Sequence, residues 1–420
     1  MVTREKPGLF NFFTYEYQAK LIQDAQRLDL SYEGALTQYW EIFTAHLIEC
    51  IETADPEVRS TQTYMNVKRI TDNDLPTNAD RITVSGKASN ISLISEMFLL
   101  IRQAYHCWTS SDLSIAIRIL NYILTKKINV SSIGEFPLNN NWKLYRERVS
   151  SKALDKIDIF HIPFTQAYKI RNQRFSITGQ PLLYLADSIS GVLNELSIHT
   201  ADECDKLFVV QYRLNLKGNT STESRNCMFD MTISDEYFQR ESQNFDEFSR
   251  YFCKFILSCA CSFPNIRGRG NYYFVEEYVI PQLVTQLLAK TNFIGIRYNT
   301  INCNGINARE QKNSNYVNYV FFTKRKETVD AIDVDLRRSF VISSPITISM
   351  LGIYDLQNHY SLEMISDLLT KYLDQIGEFD SVLHKIDSST HYKRYKQEKH
   401  DFFSDSKYPS IKIESGDTDK

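Results

Sequence analysis

Four short segments in the middle of this 420-residue chain combine arginine, tyrosine and carboxylate residues at spacings that could serve ligand binding and catalysis. These segments are LYRER at 144–148, RFSITGQPLLYLADS at 174–188 followed by Glu195, EYVIPQL at 277–283, and GIRYNT at 295–300 running on to NYVFF at 318–322. Their residue types suit a ligand that carries oxyanions and flat rings.

The arginines are candidates for oxyanion binding, because a guanidinium fork binds such groups in bidentate geometry and each charge-assisted bond contributes roughly 1.5–3 kcal/mol. Arg146 and Arg174 fit this task, with Arg148 in reserve. Tyr145 and Tyr184 can stack on a flat ring, an interaction worth about 1–3 kcal/mol per base. Taken singly, each arginine is more often a surface residue, so the interpretation depends on the segments together.

Glu195 is the best candidate for a catalytic carboxylate. When a bond at the anomeric carbon of a sugar breaks, positive charge develops on the ring, and a nearby carboxylate lowers the barrier, as in glycoside hydrolysis. A lone glutamate after a helix-like stretch is more often solvated. The position of Glu195, eleven residues after Tyr184, singles it out.

In their order and residue types, the four segments resemble the RES domain family. In that family four motifs follow one another: Y-R-x-R, a G-x-P-x-x-Y-L-A-x-S block with a later Glu, E-Y-x-x-P-Q-L and G-I-x-Y-x-S. The resemblance runs from about Tyr145 to Thr323. It implies an enzyme that cleaves the nicotinamide–ribose bond of NAD as substrate, with no cofactor and a fold like that of the ADP-ribosyltransferases. It also implies a toxin or defence effector, with an antitoxin or regulatory protein as a partner.

The resemblance assigns residue roles by position. It implies a catalytic set and a substrate-binding set, namely Glu195, Arg146 and Thr300 for the first and Tyr145, Arg148, Arg174, Tyr184 and Ser188 for the second. Thr300 stands where the family has serine. Threonine keeps the hydroxyl, but its extra methyl group restricts χ1 and occupies space.

Several reactions fit these residues equally well. Water or phosphate could attack the anomeric carbon, giving hydrolysis or phosphorolysis. Mono-ADP-ribosylation of a macromolecule is a second enzymatic reading, and it would need an acceptor surface, for which the long stretch 200–271 is the candidate. A non-catalytic nucleotide sensor is a third reading, in which Thr300 marks lost turnover.

The elements around the segments predict an α+β fold with a split, ADP-ribosyltransferase-like sheet. Apolar residues at three- and four-residue steps predict helices from 15 to about 127, with a polar connection at 53–90. The domains expected from this reading are a helical N-terminal domain at 1–135, a RES-like catalytic domain at 136–346, and a helical extension with a polar tail at 347–420.

Local patterns refine this division. Short runs rich in β-branched and aromatic residues predict strands, apolar stripes predict helices, and a Gly, Pro and Asn run predicts a linker. The predicted strands are 183–185, 207–216 and 316–322, the helices 245–261 and 276–290, and the linker 131–140.

Composition limits the other function classes. A formal net charge of −3 gives no general basic field, so no nucleic-acid partner is expected. The eight cysteines form no C-x-x-C pair, and no metal site is expected. The N-terminus lacks a signal-peptide pattern and no window is apolar enough to span a membrane, so a cytoplasmic location without membrane contact is the expectation.

Overall fold

A computed structural model gives the fold of most of the chain. It describes residues 8–29, 31–72, 92–140, 142–152, 154–156, 158–196, 207–215, 227–240, 244–265, 274–300, 316–325, 331–347 and 366–374. Residues up to Leu369 form one compact unit, and those from Thr370 form a second. Most of the predicted extension at 347–420 lies outside the described residues; 366–374 are helical.

The N-terminal segment is helical, as predicted. Its helices are α1 (Leu9–Phe12), α2 (Tyr15–Leu28), α3 (Tyr32–Glu52), α4 (Pro56–Arg59), α5 (Gln62–Asp72), α6 (Leu93–Thr109) and α7 (Leu113–Tyr122), continued by a π-helix (Ile123–Ile128). Helices α3 and α6 begin at Ser31 and Ser92, whose side chains accept hydrogen bonds from the backbone N–H groups of Gly34 and Ser95. The connection predicted at 53–90 is partly helical, since α4 and α5 lie within it.

The remaining described helices belong to the mixed region. They are α8 (Ile189–Leu196), α9 (Phe245–Ala260), α10 (Val279–Leu288) and α11 (Val334–Arg338), with 3₁₀ turns at Phe164–Lys169 and Glu276–Tyr278. The apolar stripe that predicts a helix at 245–261 corresponds to α9, of which one end is capped by Asn244. The helix predicted at 276–290 is a 3₁₀ turn followed by α10.

The strands form one mixed sheet. They are β1 (Glu135–Pro137), β2 (Lys143–Val149), β3 (Leu183–Ala186), β4 (Leu207–Leu214), β5 (Cys227–Asp230), β6 (Gly295–Asn299), β7 (Val317–Phe321) and β8 (Phe340–Ile342), in the spatial order β1-β5-β6-β7-β3-β2-β4-β8. Only β5 and β6 are parallel among these neighbours. The predicted linker at 131–140 is wrong in part, because it contains β1, an edge strand in which Pro137 is tolerated.

The sheet separates two apolar clusters. Ile296, Tyr298 and Val320 point to the face covered by the N-terminal helices, α9 and α10. Tyr319 and Phe321 alternate with Val320 and point to the other face. The predicted helical segment and one face of the sheet therefore share a single core.

The join between β2 and β3 is the narrowest in the sheet. Strands β2 and β3 share one register pair, Tyr145 with Ala186, whereas β2 pairs with β4 from Lys143 to Val149. The sheet thus consists of a five-stranded part that ends at β3 and a three-stranded part that begins at β2, joined by this one register pair. The two strands diverge beside this point, and the gap gives room for a cavity.

Candidate functional site

A cavity of about 290 Å³ lies beside the join of β2 and β3. It is lined by Tyr145, Arg146, Glu147, Asn172, Gln173, Arg174, Tyr184, Leu185, Ala186, Val192, Tyr278, Tyr298 and Asn318. Four of the predicted site residues, Tyr145, Arg146, Arg174 and Tyr184, are thereby brought together from segments that are distant in sequence. Its size is at the small end of ligand pockets.

Arg174 is held in the wall of this cavity by carbonyl groups. Its Nη1 donates to the carbonyl oxygens of Cys261 and Phe263, at 3.0 and 2.8 Å. Its guanidinium carbon also lies 5.0 Å from the centre of the Tyr278 ring, which is a cation–π distance. These contacts fix one side of the guanidinium, and Arg174 contributes a positive charge to the lining.

The loop that carries Arg174 is anchored to α10 by Gln282. The Gln282 side-chain nitrogen donates to the carbonyl oxygens of Gln173 and Ser176, at 2.8 and 3.2 Å, and to Asn172 Oδ1 at 2.5 Å. The glutamine of the EYVIPQL segment therefore positions the loop rather than lining the cavity.

Arg146 leaves β2 on the face opposite to Tyr145, as strand alternation requires. Its Nη1 donates to the carbonyl oxygen of Tyr184 at 2.8 Å, across the gap where β2 and β3 no longer pair. Burial lowers the pKa of the Arg146 guanidinium. The side chain thus joins the two parts of the sheet at the cavity margin.

Tyr145 and Tyr184 supply aromatic walls. The Tyr184 hydroxyl donates to Ser176 Oγ at 3.3 Å, and the Tyr145 hydroxyl accepts from the side-chain nitrogen of Gln211 at 3.4 Å. Tyr184 lies on β3 between two leucines that point to the other face. The three residues therefore alternate between the two faces of the sheet, as a strand requires.

Glu147 is a charged residue of the cavity lining that was not among the predicted site residues. It follows Tyr145 by two positions on β2 and so shares its face. The residue is 9% exposed, and both carboxylate oxygens are buried without a hydrogen-bond partner among the described residues. Burial raises the pKa of this carboxyl well above its usual value. The alternation of side chains along LYRER places Glu147 on the same face as Tyr145. Which face of β2 is buried, however, depends on how the strand pairs in the sheet, and the sequence alone does not give that pairing.

Three predicted site residues whose side chains the structure describes are not in the cavity lining, namely Arg148, Ser188 and Thr300. Arg148 is exposed and donates to the carbonyl oxygen of Asp158. Ser188 Oγ accepts from the Gly191 backbone N–H at 3.1 Å, at the start of α8. Thr300 is buried at the end of β6.

Thr300 directly follows β6. Its backbone N–H donates to the Tyr316 carbonyl, and its own carbonyl accepts from the Tyr15 hydroxyl at 2.7 Å. Thr300 Oγ1 is buried and has no partner within the described ranges. A buried hydroxyl in this state calls for an explanation, and a ligand group is one.

Helix α8 brings the segment of Glu195 to the site. Val192 of α8 lines the cavity, and Glu195 lies one turn later in the same helix. The Glu195 side chain is outside the described residues, as is much of the stretch 200–271 that was considered for an acceptor surface. The role predicted for Glu195 stays a prediction.

The N-terminal helices hold another wall of the cavity. Glu276 Oε2 accepts from the backbone N–H of Tyr32 on α3 at 2.9 Å and from the Tyr105 hydroxyl on α6 at 3.1 Å. Glu276 begins the 3₁₀ turn that ends at Tyr278, a lining residue. The helical segment therefore contributes to the geometry of the site.

Within the described residues, no group of three or more His, Cys, Asp or Glu side chains is arranged to hold a metal ion. In the same part of the chain, every helix is too short or too polar to cross a bilayer.

Comparison with known proteins gives one relative of low identity. No protein-family model matches the chain, and no solved structure gives a significant match. The chain is 25% identical over 242 residues to a protein of Bacillus subtilis (strain 168) named "Putative toxin YopC". The match covers 53% of this chain and 51% of the relative, so the chain spans about half the length of the curated protein it matches.

Proposed function

We propose that this chain is an NAD-degrading enzyme that cleaves the nicotinamide–ribose bond and acts as a toxin. The observation that carries the proposal is the meeting of Tyr145, Arg174 and Tyr184 in one cavity, beside the helix that contains Glu195. These residues come from separate segments of the RES-like pattern. The name of the Bacillus relative supports the toxin role.

The roles follow from chemistry. The tyrosine walls hold a flat ring, and Arg174 attracts the pyrophosphate of the substrate. Glu195 stabilises the positive charge that develops on the ribose as nicotinamide departs. The small cavity suits the nicotinamide and its ribose, with the rest of the dinucleotide extending through the open side.

Incubation of the full chain with NAD tests the proposal. We expect free nicotinamide to appear in proportion to enzyme, as measured by liquid chromatography. With phosphate present, ADP-ribose as the co-product indicates hydrolysis, ADP-ribose-1″-phosphate indicates phosphorolysis, and a covalently labelled protein indicates ADP-ribosyl transfer. Absence of nicotinamide release, while NAD still binds, would instead favour the nucleotide sensor.

Toxicity is tested separately, by induced expression in a bacterial host. Growth should stop and cellular NAD should fall with the wild-type chain. A chain that arrests growth while NAD stays constant would separate the toxin role from NAD cleavage and contradict the proposal.

A further inference from the structure

We infer that Glu147 makes the cavity selective for a cationic flat ring, so that the oxidised pyridinium of NAD is bound in preference to a neutral ring of the same shape. The inference deepens the proposed function and rests on it for the identity of the ring. The carboxylate is a specificity-determining group, and no bond-breaking step is assigned to it.

The Glu147 carboxyl has no hydrogen-bond partner among the described residues. Removing an unpaired carboxylate from water is strongly unfavourable, and buried charges in proteins are ordinarily paired. Glu147 nevertheless lines the cavity with both oxygens buried and without a partner in the part of the chain that the structure describes. A structural role through hydrogen bonds within the described residues does not account for it.

The two arginines of the cavity lining donate hydrogen bonds to backbone carbonyl oxygens. Arg146 leaves the strand on the opposite face and donates to the carbonyl oxygen of Tyr184. Arg174 donates to two carbonyl oxygens and lies over Tyr278. Both Glu147 oxygens lack a hydrogen-bond partner among the described residues, so neither arginine is hydrogen-bonded to this carboxyl there. A cationic ligand in the cavity can therefore supply the positive charge that Glu147 lacks.

The aromatic lining of the cavity indicates the chemistry of the ligand. Tyr145, Tyr184, Tyr278 and Tyr298 line the same space, and the faces of tyrosine rings attract cations. A delocalised ring cation gains from both the aromatic walls and the carboxylate. A cation in this space favours the ionised form of the Glu147 carboxyl, which burial alone disfavours. Because the interior has a low effective dielectric constant, that charge acts across several ångströms without direct contact.

The charges and oxygen atoms around the cavity suit a ring cation that carries a phosphate better than a divalent metal ion. A divalent metal ion prefers several oxygen ligands, and no such group of side chains is present within the described ranges. Arg174 places a positive charge in the same lining, which suits a phosphate. A ligand with a ring cation and a phosphate satisfies both, and the nicotinamide mononucleotide half of NAD has this distribution of charge.

Binding of two small probes tests the inference without turnover. Isothermal titration calorimetry on the full chain compares the affinities for 1-methylnicotinamide and for neutral nicotinamide. The first is a permanent cation, and it cannot be cleaved as NAD is because a methyl group takes the place of the ribose. We expect wild type to prefer the cation, and Glu147→Gln to lower the ratio of affinities by about tenfold, in line with a desolvated cation–carboxylate contribution. The matched control, Glu135→Gln on exposed β1, removes the same charge outside the cavity and should leave the ratio unchanged.

Glutamine is close in volume to glutamate and lacks the charge that burial disfavours, so Glu147→Gln should fold; thermal unfolding checks this. Glu147→Asp retains the charge and should retain a preference for the cation. Equal ratios in wild type and Glu147→Gln, or failure of wild type to bind either probe, would overturn the inference. Preference for the cation in a chain that releases no nicotinamide from NAD would contradict the proposed function while leaving this inference standing.

Discussion

The Nη1 atom of Arg146 donates a 2.8 Å hydrogen bond to the carbonyl oxygen of Tyr184, across the place where β2 and β3 cease to pair. A side chain thus takes the place of a ladder hydrogen bond at the margin of the cavity. Since Tyr184 is one of the cavity walls, the position of that wall depends on Arg146.

Arg146→Ala should therefore destabilise the fold, because the Tyr184 carbonyl loses its charged donor. Loss of a hydrogen bond from a charged donor costs roughly 1.5–3 kcal/mol. The free energy of unfolding in urea measures the loss. Arg148→Ala is the matched control, since Arg148 lies on the same face of β2 but is exposed, and about 0.5 kcal/mol or less is expected. Equal losses in both variants would argue against this role for Arg146.

Arg174→Ala should weaken NAD binding more than binding of nicotinamide riboside, because only NAD carries the pyrophosphate. Arg174→Lys should rescue poorly, since a point charge cannot donate to Cys261 and Phe263 while also presenting a fork to phosphate. Affinities for both ligands, measured by calorimetry under conditions without turnover, provide the test. Parallel losses on the two ligands would indicate that Arg174 only maintains the wall.

Asp187, between β3 and α8, predicts a pH dependence of stability. Burial raises the pKa of its carboxyl from 3.8 to about 6, although Oδ2 accepts from the Val317 backbone N–H. The folded chain then binds more protons than the unfolded chain between about pH 4 and 6, so this group's contribution to stability falls as pH rises through that window. The loss at neutral pH is at most about 3 kcal/mol.

Asp187→Asn should remove this dependence, because the amide keeps an acceptor oxygen and does not ionise. Urea unfolding of both chains at several values between pH 4 and 7 measures the difference. The variant should gain stability relative to wild type as the pH rises. A constant difference over that range would contradict the perturbed carboxyl.

Parts of this architecture follow from local sequence. The apolar run in β4 and the stripe of α9 are strong enough to be recognised without tertiary information. Gly179 also has a local reason, since its φ is +85°. Gly295 has a tertiary one, because a Cβ there would lie 2.2 Å from the Val320 carbonyl oxygen on the neighbouring strand β7. The order of the four segments predicted that Tyr145, Arg174 and Tyr184 belong to one site, and the three residues line one cavity.

Other features depend on long-range pairing and escaped prediction. β1 is a three-residue edge strand that exists because β5 lies beside it, and its Glu and Pro give no strand pattern. Glu147 lies between Arg146 and Arg148 in the sequence, and a glutamate between two arginines is ordinarily expected to be exposed. Its burial follows from how β2 is covered in three dimensions, which no local pattern specifies.

Glu195→Gln should abolish nicotinamide release while leaving the fold intact, because it removes the charge at almost constant volume. Loss of a carboxylate beside a positively charged sugar costs several kcal/mol of transition-state stabilisation, and about 1.4 kcal/mol is already tenfold in rate. Nicotinamide release at saturating NAD is the measurement, with Glu135→Gln as the control for charge removal. A variant that turns over NAD at the wild-type rate would remove Glu195 from the mechanism.

Thr300 offers a comparison of stability with activity at one position. Its Oγ1 is buried without a partner among the described residues, so Thr300→Val should leave stability unchanged or raise it by up to about 1–3 kcal/mol. If the hydroxyl bonds the substrate, the same variant should lose roughly ten- to a hundredfold in turnover. Thr300→Ser keeps the hydroxyl and relieves the methyl group, so it should keep or raise activity.

The three chains are compared by urea unfolding and by nicotinamide release from NAD. A Val variant that is as stable as wild type and slow, beside a Ser variant that is active, places the hydroxyl at the substrate. Creation of NAD cleavage by Thr300→Ser in an inactive wild-type background would favour the sensor reading. Turnover unchanged in both variants would mean that Thr300 lies outside the reacting site, and the unpaired hydroxyl would then be a feature of the join between β6 and Tyr316 alone.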